Sequence, residues 1–302
     1  MLLWLTTAFA IEPIAGADTV ARGFVGAWPD DNAAVASSPG MIGLAKRYVV
    51  AGQGAIGPDL GWELSASAVD SRTSGVAMGV AYRARGSDPV PTSAELPGWI
   101  ADGDEIENKR RSHDVALALA IPFGKRQVGE GEEAPPLFSF GLEGDLRLLQ
   151  HARLGDHLAI DPGVGFAWRP TLALVLAASG TGLVPGGDAG SLPTVHGMVG
   201  AFDPKLGRVG VETAFAVGEA VAWSLRVGAE KAFDEKGAFR VGWHREGDTE
   251  RQAFSIGGGL TSTAGDVDLA LELPTNGQRT DEGTFDWLKR GFSIRLGVRL
   301  KV

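Results

Sequence analysis

From Phe292 to Val302 every second residue is apolar. Phe292, Ile294, Leu296, Val298, Leu300 and Val302 make one series, and Ser293, Arg295, Gly297, Arg299 and Lys301 fill the positions between. Successive side chains of a strand point to opposite faces, so a period of two demands a strand with one apolar and one polar face. A helix would scatter the same apolar residues around its axis. The rule repeats through Leu225, Val227 and Ala229 against Ser224, Arg226 and Glu230, and through Phe138, Phe140, Leu142, Leu146 and Leu148 against Glu143, Asp145 and Arg147.

Turn-rich breaks divide the chain after about residue 42 into fourteen such segments. They fall near 43–55, 60–70, 75–85, 113–122, 137–149, 159–168, 171–179, 194–202, 207–217, 220–231, 237–245, 251–261, 266–273 and 289–302. An even number of antiparallel strands is what single-chain bacterial outer-membrane barrels have, with short turns on the periplasmic side and longer loops outside. The connections at 71–74, 169–170, 203–206, 232–236 and 262–265 are brief, and those at 86–112, 150–158, 180–193 and 275–288 are long. Two depart from the alternation: residues 125–136 are long where a short turn is expected, and the connection near Gly218 is short where a long one is allowed. A miscounted strand at either place would produce the same irregularity.

A soluble β-sandwich also alternates, but with its apolar face in a core and its polar face in water. Strands of about ten residues suit a bilayer better than the usual five or six. That length, the scarcity of helical segments and the unbroken terminal alternation favour an all-β transmembrane antiparallel barrel over residues 43–302. Its polar face then points inward, which makes Glu143, Asp145, Arg147, Glu212, Arg226, Glu230, Arg240, His244, Asp268, Glu272, Arg295 and Arg299 lumen-facing charges. A charge on the lipid face costs about 2–4 kcal/mol at midplane, whereas both signs can pair across a wet interior. The set reads equally as a brace for the barrel and as a conduction path. Trp62, Trp168, Trp223, Trp243 and Phe292, near strand ends, fit either interfacial girdles or scattered core aromatics.

Glycine, at 44 of 302 residues, is about twice its average usage without any collagen-like period, as many curved strands and turns would require. An apolar fraction of 44% is compatible with a barrel, because only alternate strand residues meet lipid. The net charge of −9 leaves no surplus of Lys and Arg for phosphates, so nucleic acid is not expected as a partner. With no Cys, disulfides and thiolate chemistry are excluded. The apolar stretch over residues 1–17 reads as a signal peptide with cleavage after Ala10 or Ala17, although it lacks a basic start. Residues 18–42 show no sustained alternation and are rich in small and polar residues. They are expected to fold into the lumen as a hatch through Phe24, Trp28, Asp30, Asp31, Pro39 and Met41, the other outcome being a loose tail.

Motifs for chemistry are weak. Gly52-Gln53-Gly54-Ala55-Ile56-Gly57 matches a dinucleotide fingerprint, yet Pro58, Gly61 and an alternating strand follow it where a helix is required. His113, His151, His157, His196 and His244 have no metal-ligand spacing, and Asp102, Asp104, Glu105 and Glu107 read as a solvated acidic loop. No cofactor, metal or enzymatic activity is expected. The expected partners are outer-membrane lipids, a hydrophobic small-molecule ligand, and the barrel-assembly machinery through the C-terminal strand.

Asp30-Asp31-Asn32-Ala33-Ala34-Val35, followed by Ser38-Pro39-Gly40-Met41-Ile42-Gly43-Leu44-Ala45, resembles the N-terminal signature of FadL-like and PorV-like outer-membrane proteins. In that signature an acidic pair and small residues precede Asn-Pro-Ala-Gly-Leu; here Ser38 replaces the Asn, and extra residues separate Pro39 from Gly43-Leu44. The likeness continues loosely through AVDSRTSGVAMGVAYR and FAWRPTLALVLAASGTGLVP. It implies a fourteen-stranded barrel with an internal N-terminal hatch in the bacterial outer membrane. For the FadL branch it implies passage of hydrophobic molecules such as fatty acids to a lateral opening, and for the PorV branch an accessory or carrier role in protein secretion. A purely structural barrel is the third expectation.

Overall fold

The computed structural model describes residues 19, 28–29, 32–57, 61–87, 110–124, 135–151, 155–184, 186–187, 193–203, 205–216, 222–233, 236–247, 252–275 and 292–301. Its elements begin with a single helical turn α1 (Ala34–Ser37) and a 3-10 helix η1 (Pro39–Gly43). Strands follow: β1 (Tyr48–Gly57), β2 (Gly61–Asp70), β3 (Ala77–Ser87), β4 (Arg110–Phe123), β5 (Phe138–His151), β6 (Gly155–Thr171), β7 (Leu174–Thr181), β8 (Gly186–Gly187), β9 (Thr194–Asp203), β10 (Gly207–Ala216), β11 (Ala222–Phe233), β12 (Gly237–Glu246), β13 (Gln252–Thr261), β14 (Gly265–Pro274) and β15 (Ser293–Lys301). Every strand but β8 pairs antiparallel with at least two neighbours, β6 with β5, β7 and β8, and β1 closes on β15 from Val49↔Lys301 to Ile56↔Ile294. The result is a closed fourteen-stranded barrel, in which closure pairs the first strand with the last.

The alternation resolves into an outside and an inside. On β15, Ile294, Leu296, Val298 and Leu300 are exposed, whereas Ser293 and Arg295 are buried. The same holds on β14, where Val267 and Leu269 are exposed between the buried Asp266, Asp268 and Ala270. A wall that is apolar outside and polar inside is the reverse of a soluble sandwich, and it is stable only where lipid replaces water around it. On β5 the outward apolar run from Phe138 to Leu148 covers about 33 Å of strand at ~3.3 Å per residue, or about 25 Å of height at a tilt of ~40°. That matches the apolar band of an outer-membrane barrel. Trp62 and Trp168 stand on the outer face near strand ends, and Phe123, Phe138, Phe166 and Trp168 stack there with ring centroids 5.5–6.5 Å apart.

The end of the barrel where β1 starts and β15 finishes, the near end, carries the tight turns. Asp70 accepts hydrogen bonds from the Arg72 and Thr73 amides at 3.0 Å, and Asp203 from the Lys205 and Leu206 amides at 2.7 and 2.8 Å. Across both irregular connections the flanking strands pair directly, β4 with β5 and β10 with β11. Residues 125–134 lie outside the description, but Leu137 N–H donates to Gly124 O at 3.1 Å, with Gly124 at φ +76, so β4 and β5 meet at the base of the connection.

Of the boundaries that differ from the sequence reading, three bear on the site. β1 starts at Tyr48 instead of 43, because Pro39 opens a 3-10 turn that runs through Gly43. The loop expected at residues 150–158 is mostly strand: β5 reaches His151 and β6 begins at Gly155. Gln150 and Asp156, paired with each other at outward positions, are polar where the outward series is otherwise apolar, so the alternation stops there. The third is β8, a two-residue strand inside the connection expected at 180–193. The glycine fingerprint at 52–57 lies within β1, paired on both sides, which rules out the helix a dinucleotide site requires.

The barrel interior as candidate functional site

Each lumen-facing charge named from the sequence sits on an inward position, and β registers decide which of them meet. Glu212 and Arg226 are direct cross-strand partners on β10 and β11; Arg226 Nη1 donates to Glu212 Oε1 at 2.7 Å, with side chains 2% and 1% exposed. His196 Nδ1 stands 3.6 Å from the same carboxylate. Arg240 on β12 joins Glu230 Oε2 at 2.6 Å to Asp268 Oδ1, linking three strands. Glu272 is 3.9 Å from His244 Nε2 and accepts from Ser293 Oγ at 3.2 Å. Arg299 lies 3.8 Å from Asp266, Arg147 lies 3.6 Å from Asp145, and Arg295 Nη1 bonds Glu63 Oε1 at 2.5 Å. Glu143 is buried on β5 beside Asp145.

Several partners in these networks were not singled out from the sequence. Glu63, Arg83, Arg85, Asp114, Asp161, Arg208 and Asp266 all occupy inward positions of strands that were recognised, so the period-two parity would have found them. Arg83 and Arg147 both hold Asp114, at 2.6 and 3.0 Å, and Arg85 joins Arg295 on Glu63. Most of these pairs are deeply buried and span neighbouring strands, so they brace the wall. Among the described residues no group of His, Asp and Glu is arranged to hold a metal ion.

A second interior zone is apolar. Residues 32–47 pack against the inner wall of β3 to β7, where Ala77, Ala81, Ala116, Ala118, Ala120, Ala167 and Ala177 leave room for Val35, Met41, Ile42 and Leu44. Glycines shape the seat. A Cβ on Gly79 would stand 2.6 Å from Val35, and one on Gly141 or Gly165 would overlap Pro39 and Gly40. Polar contacts fix the ends: Ser179 Oγ donates to Ser37 O at 2.5 Å, Asn32 Nδ2 to Ser67 Oγ at 3.0 Å, and Arg47 Nη1 to Asn32 Oδ1 at 2.8 Å. Of the residues named for a hatch, Met41 and Pro39 are buried in this seat. Trp28 is buried elsewhere, with the Arg208 guanidinium 5.8 Å from its ring centre. Phe24, Asp30 and Asp31 lie outside the described residues, as do residues 1–17 of the expected signal peptide.

The seat supplies a test. Gly141→Val is expected to displace residues 34–44 while leaving the ring closed, because the new side chain overlaps Pro39 and Gly40, not a strand. Gly144→Ala, whose Cβ meets nothing within 4 Å, is the control. Limited proteolysis should release the N-terminal segment from Gly141→Val alone, with β-sheet circular dichroism retained in both. Protection equal to wild type would show that the segment does not depend on this seat.

No family model matches the chain, and no curated protein matches it by sequence. Solved structures do. The chain is similar to the toluene transporter TodX of Pseudomonas putida, with 10% identity, a TM-score of 0.63, and coverage of 94% of this chain and 96% of that one. It is similar also to the toluene transporter TbuX of Ralstonia pickettii, with 12% identity, a TM-score of 0.63, and coverage of 97% and 98%. At such identity the likeness is one of fold: a complete membrane barrel of the same architecture.

Proposed function

We propose that this protein is a FadL-like barrel of the bacterial outer membrane that passes small hydrophobic molecules. The observation that carries the reading is an irregularity in the ladder along one edge of β6. β7 pairs with β6 only from Thr171↔Leu174 to Val164↔Gly180, with a register shift after Trp168. Farther along, among the described residues, this side of β6 meets β8 at Ala159↔Gly187 and Ile160↔Gly186, and Pro162 O accepts from Leu183 N at 3.2 Å. Among the described residues the other ladders are continuous. Leu183 and Val184, at this irregularity, are 43% and 67% exposed, so an apolar solute leaving there would meet apolar surface and lipid.

The charged interior supports a sideways route, since an apolar molecule gains nothing by crossing bands of buried ion pairs. Residues 34–44 serve as the hatch in this reading. The likeness of fold to toluene transporters agrees with an apolar cargo, and fatty acids are a longer member of the same class.

The experiment is uptake by cells lacking the gene and by cells complemented with it, using labelled toluene, a labelled long-chain fatty acid and a labelled disaccharide. Complementation should raise uptake of an apolar probe and leave the disaccharide unchanged. Disaccharide uptake alone would make this a polar-solute porin, and no change in any probe would make it a structural barrel.

A further inference from the structure

On the outer face of β5 the apolar series ends at Leu148, opposite His113, and the next outward pair, Arg111↔Gln150, is polar. Two residues of a strand tilted by ~40° raise that pair about 5 Å above Leu148, the step from acyl chains to head groups. It stands at the far end of the barrel, away from the tight turns, and in an outer-membrane barrel that end faces outward from the cell. Arg111 is exposed, and the side chains of Arg111 and Gln150 make no hydrogen bond or ion pair with another described residue.

One step below, the Tyr82 hydroxyl and His113 Nδ1 are 2.9 Å apart, with the rings stacked at 6.2 Å. If the hydroxyl donates, the imidazole proton sits on Nε2; if Nδ1 donates, the hydroxyl proton is spare. The pair therefore keeps a donor for an outside group in every tautomer. Toward β2 the wall is shallow. Gly86, opposite Arg111, lies so close beneath the Trp62 indole that a Cβ there would overlap the ring, and Ala84 is opposite His113. Toward β6, Asp156 faces Gln150 and bounds the patch with a carboxylate, so an anion is drawn to the Trp62 side.

We infer that Arg111, Gln150 and the Tyr82–His113 pair bind a phosphate of the phosphorylated glycolipid that forms the outer leaflet of such membranes. The planar fork of a guanidinium matches phosphate oxygens, and an uncompensated cation at the edge of the bilayer gains a counter-charge there. Below it, the exposed Leu64, Val80 and Leu146 offer apolar wall to the acyl chains, and the Trp62 ring offers a face to a sugar. A similar arrangement stands on β12 and β13, where the exposed Arg245 is opposite Gln252 and 5.7 Å from the Trp223 ring centre. A zwitterionic head group gains less at Arg111, since its own ammonium offsets the attraction. The site rests on the membrane reading of the wall and is independent of what crosses it.

The test is native mass spectrometry of the full-length protein in detergent micelles with equimolar lipids. The probes are bisphosphorylated lipid A, the same lipid with its phosphates removed, and phosphatidylethanolamine. Phosphorylated lipid A should be retained at least about tenfold over either of the others, the scale of a charge-assisted hydrogen bond. R111Q should remove most of that preference, whereas K236Q, which deletes an exposed cation at the near end, should leave it unchanged. Both positions are exposed, and β-sheet circular dichroism checks that both variants fold. Millimolar inorganic phosphate should not displace the lipid, which also holds the wall through its chains. Equal retention of the three lipids, equal losses in R111Q and K236Q, or displacement by inorganic phosphate would overturn the inference.

Discussion

Arg226→Leu is expected to lower the stability of the barrel by about 3–5 kcal/mol, the cost of leaving a buried charge without its partner. Arg226 and Glu212 are 2% and 1% exposed and bonded at 2.7 Å, so the substitution strands a carboxylate in the wall. Glu212→Leu/Arg226→Leu should recover most of the loss, because both desolvation costs disappear with the pair. Urea unfolding of the refolded protein in lipid vesicles measures this. A single variant within about 1 kcal/mol of wild type would show the pair to be wet, and a double variant as unstable as the single would show the Arg226 stem to matter more than its charge.

The strands were legible because each answers to two environments at once. Lipid outside and charge inside impress a period of two on Phe292 to Lys301 as strongly as a helix impresses 3.6 on a bundle, so the fourteen-strand ring could be read without any motif. The reading weakened where the environments stop differing. At Gln150 and Asp156 the outward series turns polar and looked like a loop, and at Gly186–Gly187 a strand of two residues has no period to show.

The interior was legible as composition but not as pairing. Alternation assigns Arg240 to the lumen, yet only the register Glu230↔Arg240, together with a reach across β13 to Asp268, tells which carboxylates it joins. Likewise the inner wall of β3 to β7 appears in sequence merely as strands with Gly79, Gly141 and Gly165. That these glycines face residues 35–42 depends on chain approach between segments far apart in sequence, for which local pattern holds no signal.

Leu296→Arg is expected to cost about 2–4 kcal/mol, whereas Leu300→Arg should cost about 0–1 kcal/mol, because the penalty for a cation on the lipid face falls from midplane to interface. Leu296 is 54% exposed in the middle of β15, facing outward between Gly54 and Leu269, and Leu300 is one of the last residues of the strand at the near end. Depth is the only large difference between them: both are exposed leucines on the same face of the same strand. Comparing assembled protein in outer-membrane fractions, and unfolding midpoints in vesicles, reads the contrast directly. A soluble protein with this surface would gain solubility from either arginine and lose stability from neither. Equal tolerance of the two substitutions would therefore contradict the lipid-facing assignment of the wall, and a steep difference would place the bilayer centre near Leu296.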